Sequence, residues 1–138
     1  MISIAIVDSG PLVAAANRAD PDHRACLQAL RAPGLHLVIP VLCIAEAAYL
    51  IARRQGPQVE ARFLCGLEGF EMHAPTGHDW KRIAQLVEQY ADFPLGCVDA
   101  AVIVAAERLT TNRLITLDRR HFSTVQPSHC ERLLLEPA

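Results

Sequence analysis

Apolar and polar positions follow two different rhythms along this chain. Ile2–Val7 (ISIAIV), Leu35–Ile39 (LHLVI) and Arg113–Leu117 (RLITL) are short, nearly continuous apolar runs, the pattern of strands buried on both faces. GFEMHA predicts a further short strand and the RLLLE tail a fifth. Longer segments between them read as helices. Gly10-Pro11 opens one to about Asn17, with Pro11 at its first position. Asp20-Pro21 opens a second to about Arg31, and Pro40 a third that runs into Gly56-Pro57. A fourth follows to about Glu68. Thr76 and Asp79 form a capping-box-like start for a helix to about Tyr90. Cys97–Leu109 (CVDAAVIVAAERL) is an apolar helix after the loop Asp92–Gly96. Strands alternating with helices specify an α/β domain with a mainly parallel sheet. No repeat, low-complexity segment or linker divides the 138 residues, so a single domain over 1–138 is expected.

Composition narrows the class. The chain is 51% hydrophobic and 20% charged, enough to build a core. No uncharged run reaches about 18 residues, the usual minimum for a membrane span. The start, MISIAIVDSG, has no basic region and does not read as a secretory signal. Five cysteines are scattered without a C-x-x-C pair, which predicts reduced thiols in a cytoplasm. The six histidines show no H-x-x-x-H spacing. A net charge of −2 gives no global signature of nucleic-acid binding. Twelve of the thirteen basic residues are arginine and only Lys81 is lysine, a bias that composition explains as well as phosphate recognition does.

Four acids break the apolar rhythm, and they carry the chemistry. Glu46 is the one charge between Val41 and Ala52. Asp8 is the only charge between Met1 and Arg18, and Asp99 the only one between Asp92 and Glu107. Asp118 directly follows LITL. A buried carboxylate without a partner costs several kcal/mol or takes up a proton. Asp8 and Asp118 each end a predicted strand, at the sheet edge where open parallel sheets bind ligands. Asp99 lies in the first turn of its helix and Glu46 about two turns into its own. Each aspartate alone is explained by a cap, a turn or a surface ion pair; Glu46 is not. Together the four read as an oxygen-rich divalent-metal site, suited to Mg²⁺ or Mn²⁺ and to phosphate chemistry. Neither G-x-x-x-x-G-K-[ST], G-x-G-x-x-G nor G-x-S-x-G occurs.

Four segments then carry a family resemblance: IVDSGPLVAA with Asp8, IPVLCIAEAAYLI with Glu46, LGCVDAAVIVAAERL with Asp99, and LITLDRRHFSTVQP with Asp118. In order and spacing they resemble the four acidic motifs of the PIN domain, and the length resembles the VapC toxins of bacterial toxin–antitoxin pairs. The resemblance implies a three-layer α/β/α sandwich and a metal-dependent endoribonuclease that cuts structured RNA, transfer or ribosomal. It implies metal ligation by Asp8, Glu46, Asp99 and Asp118, with Mg²⁺ or Mn²⁺ as cofactor. It also implies a supporting hydroxyl at Ser9, a homodimer, and a VapB-like antitoxin whose C-terminal segment crosses the acids. Gly10 departs from the family, which often has a second hydroxyl there. Arg119, Arg120 and Arg18 are the candidate RNA contacts by position, and His121 and Phe122 are read as packing residues. Two alternatives stand beside this: a non-catalytic PIN-like binding module for RNA or protein, and a metal-dependent phosphohydrolase of small esters.

Overall fold

The computed structural model describes residues 2–138. One five-stranded sheet has the order β3-β2-β1-β4-β5, and every neighbouring pair is parallel. The strands are β1 (Ser3–Val7), β2 (Leu35–Pro40), β3 (Glu71–His73), β4 (Arg113–Ile115) and β5 (Leu134–Glu136). Seven helices occur among the described residues: α1 (Ser9–Ala15), α2 (His23–Leu30), α3 (Val41–Gln55), α4 (Pro57–Cys65), α5 (Gly77–Gln89), α6 (Cys97–Arg108) and α7 (Arg119–Thr124).

The central strand explains the layering. Ala5, Ile6 and Val7 are consecutive and all buried. Successive strand side chains point to opposite faces, so both faces of β1 are covered. One contiguous core runs from Ala5 to Leu133, and truncating a fully buried member such as Ile6 to Ala costs about 2–5 kcal/mol. Parallel pairing of β1 with both β2 and β4 places the ends of Val7 and Ile115 side by side. That edge holds the acids.

Several boundaries shift from the sequence reading. The first helix begins at Ser9, so Pro11 is its third residue, where its missing N–H is still one of the unpaired donors of the first turn. Helix α2 begins at His23 because Asp20 and Asp22 build a turn, with Asp20 Oδ1 accepting from the Asp22 amide at 2.8 Å. Helix α4 stops at Cys65, and β4 stops at Ile115. Helix α7 was not expected at all. The capping box at Thr76 and Asp79 is present, with the Thr76 amide donating to Asp79 Oδ2 at 2.9 Å.

The apolar helix α6 needs a larger correction. Its sequence predicts an exposed apolar face, yet all of Ala100–Ala106 is buried within this single chain. Alanines let neighbouring elements approach closely enough to cover it on every side. Helix α3 buries one stripe, Cys43, Ala47 and Ile51, and leaves Tyr49 60% exposed. Helices α5 and α6 are tied by ion pairs. Arg82 grips Glu107 bidentately at 3.0 and 2.9 Å, and Arg108 reaches Asp79 at 3.3 Å.

Candidate functional site

Local structure places each acid before any ligand is considered. Asp8 follows the last residue of β1 and caps α1, its Oδ1 accepting from the Ser9 amide at 2.8 Å. Its other oxygen, Oδ2, accepts from the Thr116 hydroxyl at 2.8 Å. The Ser9 hydroxyl donates to Glu46 on α3. Asp118 caps α7, its Oδ1 accepting from the His121 amide at 3.0 Å. Asp99 lies in the first turn of α6, whose N-cap is Gly96 and not the aspartate. Asp8 and Asp118 are therefore both helix caps and members of the cluster, so the structural and functional readings coexist.

Asp99 lies within the electrostatic reach of the other three acids. Asp99, Asp118 and His121 bring one ligand atom each within 4.8 Å of one another. Asp8 and Glu46 fall outside that tightest set but face it. Burial first, then the charge of Asp8 and, more weakly, of Asp118 and Glu46, push the Asp99 carboxyl up to about 6; His121 opposes the rise. Asp8 is 5% exposed, and burial raises its pKa as well. The hydrogen bonds from Thr116 and Ser9 oppose that rise, while Glu46 and Asp118 reinforce it. Beneath Asp8, the buried Cys43 thiol points at Oδ1 from 3.8 Å and is pushed far up by burial and by Asp8. It is a packing group held protonated. Among the described residues no Lys or Arg forms an ion pair with any of the four acids.

Two residues of the site escaped the sequence reading. Thr116 is 1% exposed, and its hydroxyl donates to Asp8 and accepts from the Asp118 amide at 3.0 Å. One side chain thus couples the first acid to the last. The signal was a polar position inside LITL, two residues before Asp118. His121 does pack, its ring 4.7 Å from Phe93, but its Nδ1 also lies 2.7 Å from Asp118 Oδ2 and its Nε2 3.2 Å from the Pro94 carbonyl. Both nitrogens thus face oxygen acceptors. At Gly10 an added Cβ would meet Leu117 at an ordinary 3.5 Å, so the missing hydroxyl there is not forced by crowding.

A cluster of carboxylates with its oxygens held by Ser9, Thr116 and His121, and with no Lys or Arg paired to it among the described residues, fits a hard divalent ion. Separately, a groove of about 860 Å³ opens between α1, α2, α3 and α4. It is lined by Leu12, Leu27, Leu30, Val59, Phe63 and Phe70, with Arg18 and Arg62 among its polar residues.

Comparison with known proteins agrees with this fold. Residues 5–126 match the PIN domain model. The chain is 36% identical over 124 residues to Ribonuclease VapC26 of Mycobacterium tuberculosis, covering 88% of this chain and 92% of that protein. Its fold superposes on Mycobacterium tuberculosis VapC20, a sarcin–ricin-loop-cleaving toxin, with a TM-score of 0.78 at 16% identity over 86% of this chain and 92% of that one. It also superposes on VapBC2 of Rickettsia felis bound to a promoter DNA fragment, with a TM-score of 0.70 at 18% identity over 97% and 98%. A toxin–antitoxin complex from Klebsiella pneumoniae gives 0.67 at 21% identity over 94% and 99%.

Proposed function

The chain belongs to the PIN-domain family, among the VapC ribonucleases, and from that premise we propose that its acidic pocket is where an RNA phosphodiester is cut. The activity is that of an endoribonuclease. The observation that supports the site assignment is the grouping of Asp8, Glu46, Asp99 and Asp118 with no Lys or Arg paired to any of them among the described residues, while burial first and then the neighbouring acids push Asp99 up to about 6.

Asp8, Glu46, Asp99 and Asp118 are the residues that would hold Mg²⁺ or Mn²⁺. When bound, a divalent cation supplies neutralisation of the phosphate and activation of the attacking water. The protein does the rest. Ser9 fixes Glu46, Thr116 fixes Asp8 and the backbone of Asp118, and His121 fixes the Asp118 carboxylate. Rigid oxygens of this kind select geometry and need no reorganisation when substrate arrives. The open sheet edge suits a polymer better than a small ester. A structured RNA, transfer or ribosomal, is the substrate this reading favours.

The partner is an antitoxin of the VapB type; the complexes among the structural neighbours support it. The apolar groove would take an apolar segment of that partner, and a basic side chain beyond it would neutralise the acids. A homodimer completes the assembly. Five free cysteines support a cytoplasmic setting, and among the described residues no helix is long and apolar enough to cross a membrane.

The test is cleavage of total RNA by the purified chain, with the new ends mapped by sequencing. Discrete ends with Mg²⁺ or Mn²⁺, abolished by EDTA and restored by metal, are expected. Undiminished cleavage in EDTA refutes the metal mechanism, and intact RNA under all conditions favours the binding module.

A further inference from the structure

Anionic RNA must approach a pocket of four carboxylates, so the rim needs a positive group that does not itself fall into the pocket. The three arginines that the sequence offers as RNA contacts, Arg119, Arg18 and Arg120, are not equivalent in this respect. Arg119 donates through Nη2 to the Pro137 and Leu135 carbonyls, at 2.5 and 3.3 Å; it is committed to holding the C-terminal strand. Arg18 lines the apolar groove. Arg120 is exposed, lies two residues beyond Asp118, and forms no ion pair among the described residues. Its guanidinium instead sits over the Phe93 ring, 5.3 Å from the centroid, within the range of a cation–π contact.

The ring beneath it is built into the site. Phe93 lies against His121, with 56° between the rings, and His121 bonds Asp118. The loop that carries Phe93 leads directly into α6 and Asp99. It is pinned by buried Leu95 and by the Tyr90 carbonyl, which accepts from the amides of both Phe93 and Leu95 at 3.1 Å. An aromatic ring, a planar cation and a metal-type cluster therefore share one rigid surface. A guanidinium held on a ring keeps its outer N–H donors for phosphate and offers its plane, with the ring edge, to an unpaired base.

We propose that Arg120, positioned by Phe93, is the RNA-binding residue at the rim of the acidic site, contacting the backbone beside an unstacked base next to the cleaved bond. The inference rests on the ribonuclease reading above and adds a substrate feature: an unpaired segment at the cut.

The test uses fluorescence anisotropy with a pool of single-stranded RNA oligomers of about 20 nucleotides, bound in Mg²⁺ by the Asp99→Asn chain so that the RNA stays intact. Arg120→Gln in that background is expected to weaken binding about tenfold and to lower the slope of log affinity against log salt by about one. Arg120→Lys should restore the salt slope but only part of the affinity, and Phe93→Leu should weaken binding about threefold or more, the loss of one stacking contact. Arg18→Gln is the control and should match its parent. Arg120→Gln that binds within about twofold of its parent, with the same salt slope, overturns the proposal. In the chain with Asp99 intact, Arg120→Gln should raise KM and leave kcat nearly unchanged, which a general folding defect would not do. The ribonuclease reading itself falls on a separate result: no difference in RNA ends between the chain with Asp99 intact and Asp99→Asn.

Discussion

Helix α6 carries one acid in its first turn and another in its last, and the two are treated in opposite ways. Asp99 lies in the first turn, where the helix dipole favours a negative charge, and Glu107 in the last, where it does not. The dipole alone would lower the first pKa and raise the second. The opposite holds. Burial pushes Asp99 up to about 6, reinforced by Asp8 and other acids. Glu107 is also pushed up by burial, but Arg82 and the Ser128 backbone outweigh that and hold it below the ordinary carboxylate range. Asp79, paired with Arg108 and bonded to Thr76, is held low in the same way. Glu107 and Asp79 each come with an arginine, and among the described residues Asp99 has none.

The contrast is broken most sharply by exchanging each acid for its amide. Asp99→Asn should cut RNA cleavage by at least about a hundredfold, since even residues behind a metal ligand are worth 10- to 100-fold. In EDTA it should keep or raise the melting temperature, because a repelled charge is gone. Glu107→Gln should do the reverse, costing about 1–3 kcal/mol of stability in denaturant titration through the stranded Arg82, with kcat per folded molecule preserved. A large loss of metal-free stability in Asp99→Asn would make Asp99 a structural acid and end the comparison.

Thr116→Val sharpens it at a distance of one bond. The substitution keeps the shape and removes the hydroxyl that joins Asp8 to Asp118. Cleavage should fall about tenfold, and the metal concentration for half-maximal activity should rise. Activity equal to the parent at limiting metal would show that the hydroxyl has no part in holding the acids.

The smallest effect is in pH. The fold raises the Asp99 pKa from the ordinary 3.8 to about 6, so its contribution favours the fold fully below about pH 4 and is lost as pH rises through about 6. Glu107 and Asp79 are lowered, so theirs is present above the open-chain value and lost as pH falls through the depressed one. In EDTA, the melting-temperature gap between Asp99→Asn and its parent should therefore widen by a few degrees from about pH 4 to pH 7. A gap that does not change with pH would mean that Asp99 titrates normally.

Much of this was legible in the chain because apolar runs record burial. Five strands, six helices and the four acids follow from where polar residues interrupt those runs. What escaped depends on contacts made across the fold. Helix α7 is only six residues long and has no apolar period of its own; it exists because Asp118 caps it. Thr116 looks like an ordinary strand residue until its partner at position 8 is known. The buried state of α6 could not be read either, since a run of small apolar residues fits equally well inside one chain or between two. Arg119 and Arg120 are adjacent in sequence and similar in chemistry, and only the tail and the Phe93 loop tell them apart.

The central position of β1 sets a timetable for synthesis. Thr116, the hydroxyl partner of Asp8, comes 108 residues after it, and the Thr116 amide in turn donates to the Glu136 carbonyl at 2.8 Å. Contacts of such long range form late and slowly. At about 5–20 residues per second, roughly 5–20 s of synthesis separate Asp8 from the hydroxyl that holds it, so a chain not yet extended to Thr116 lacks one of the bonds that fix the first acid.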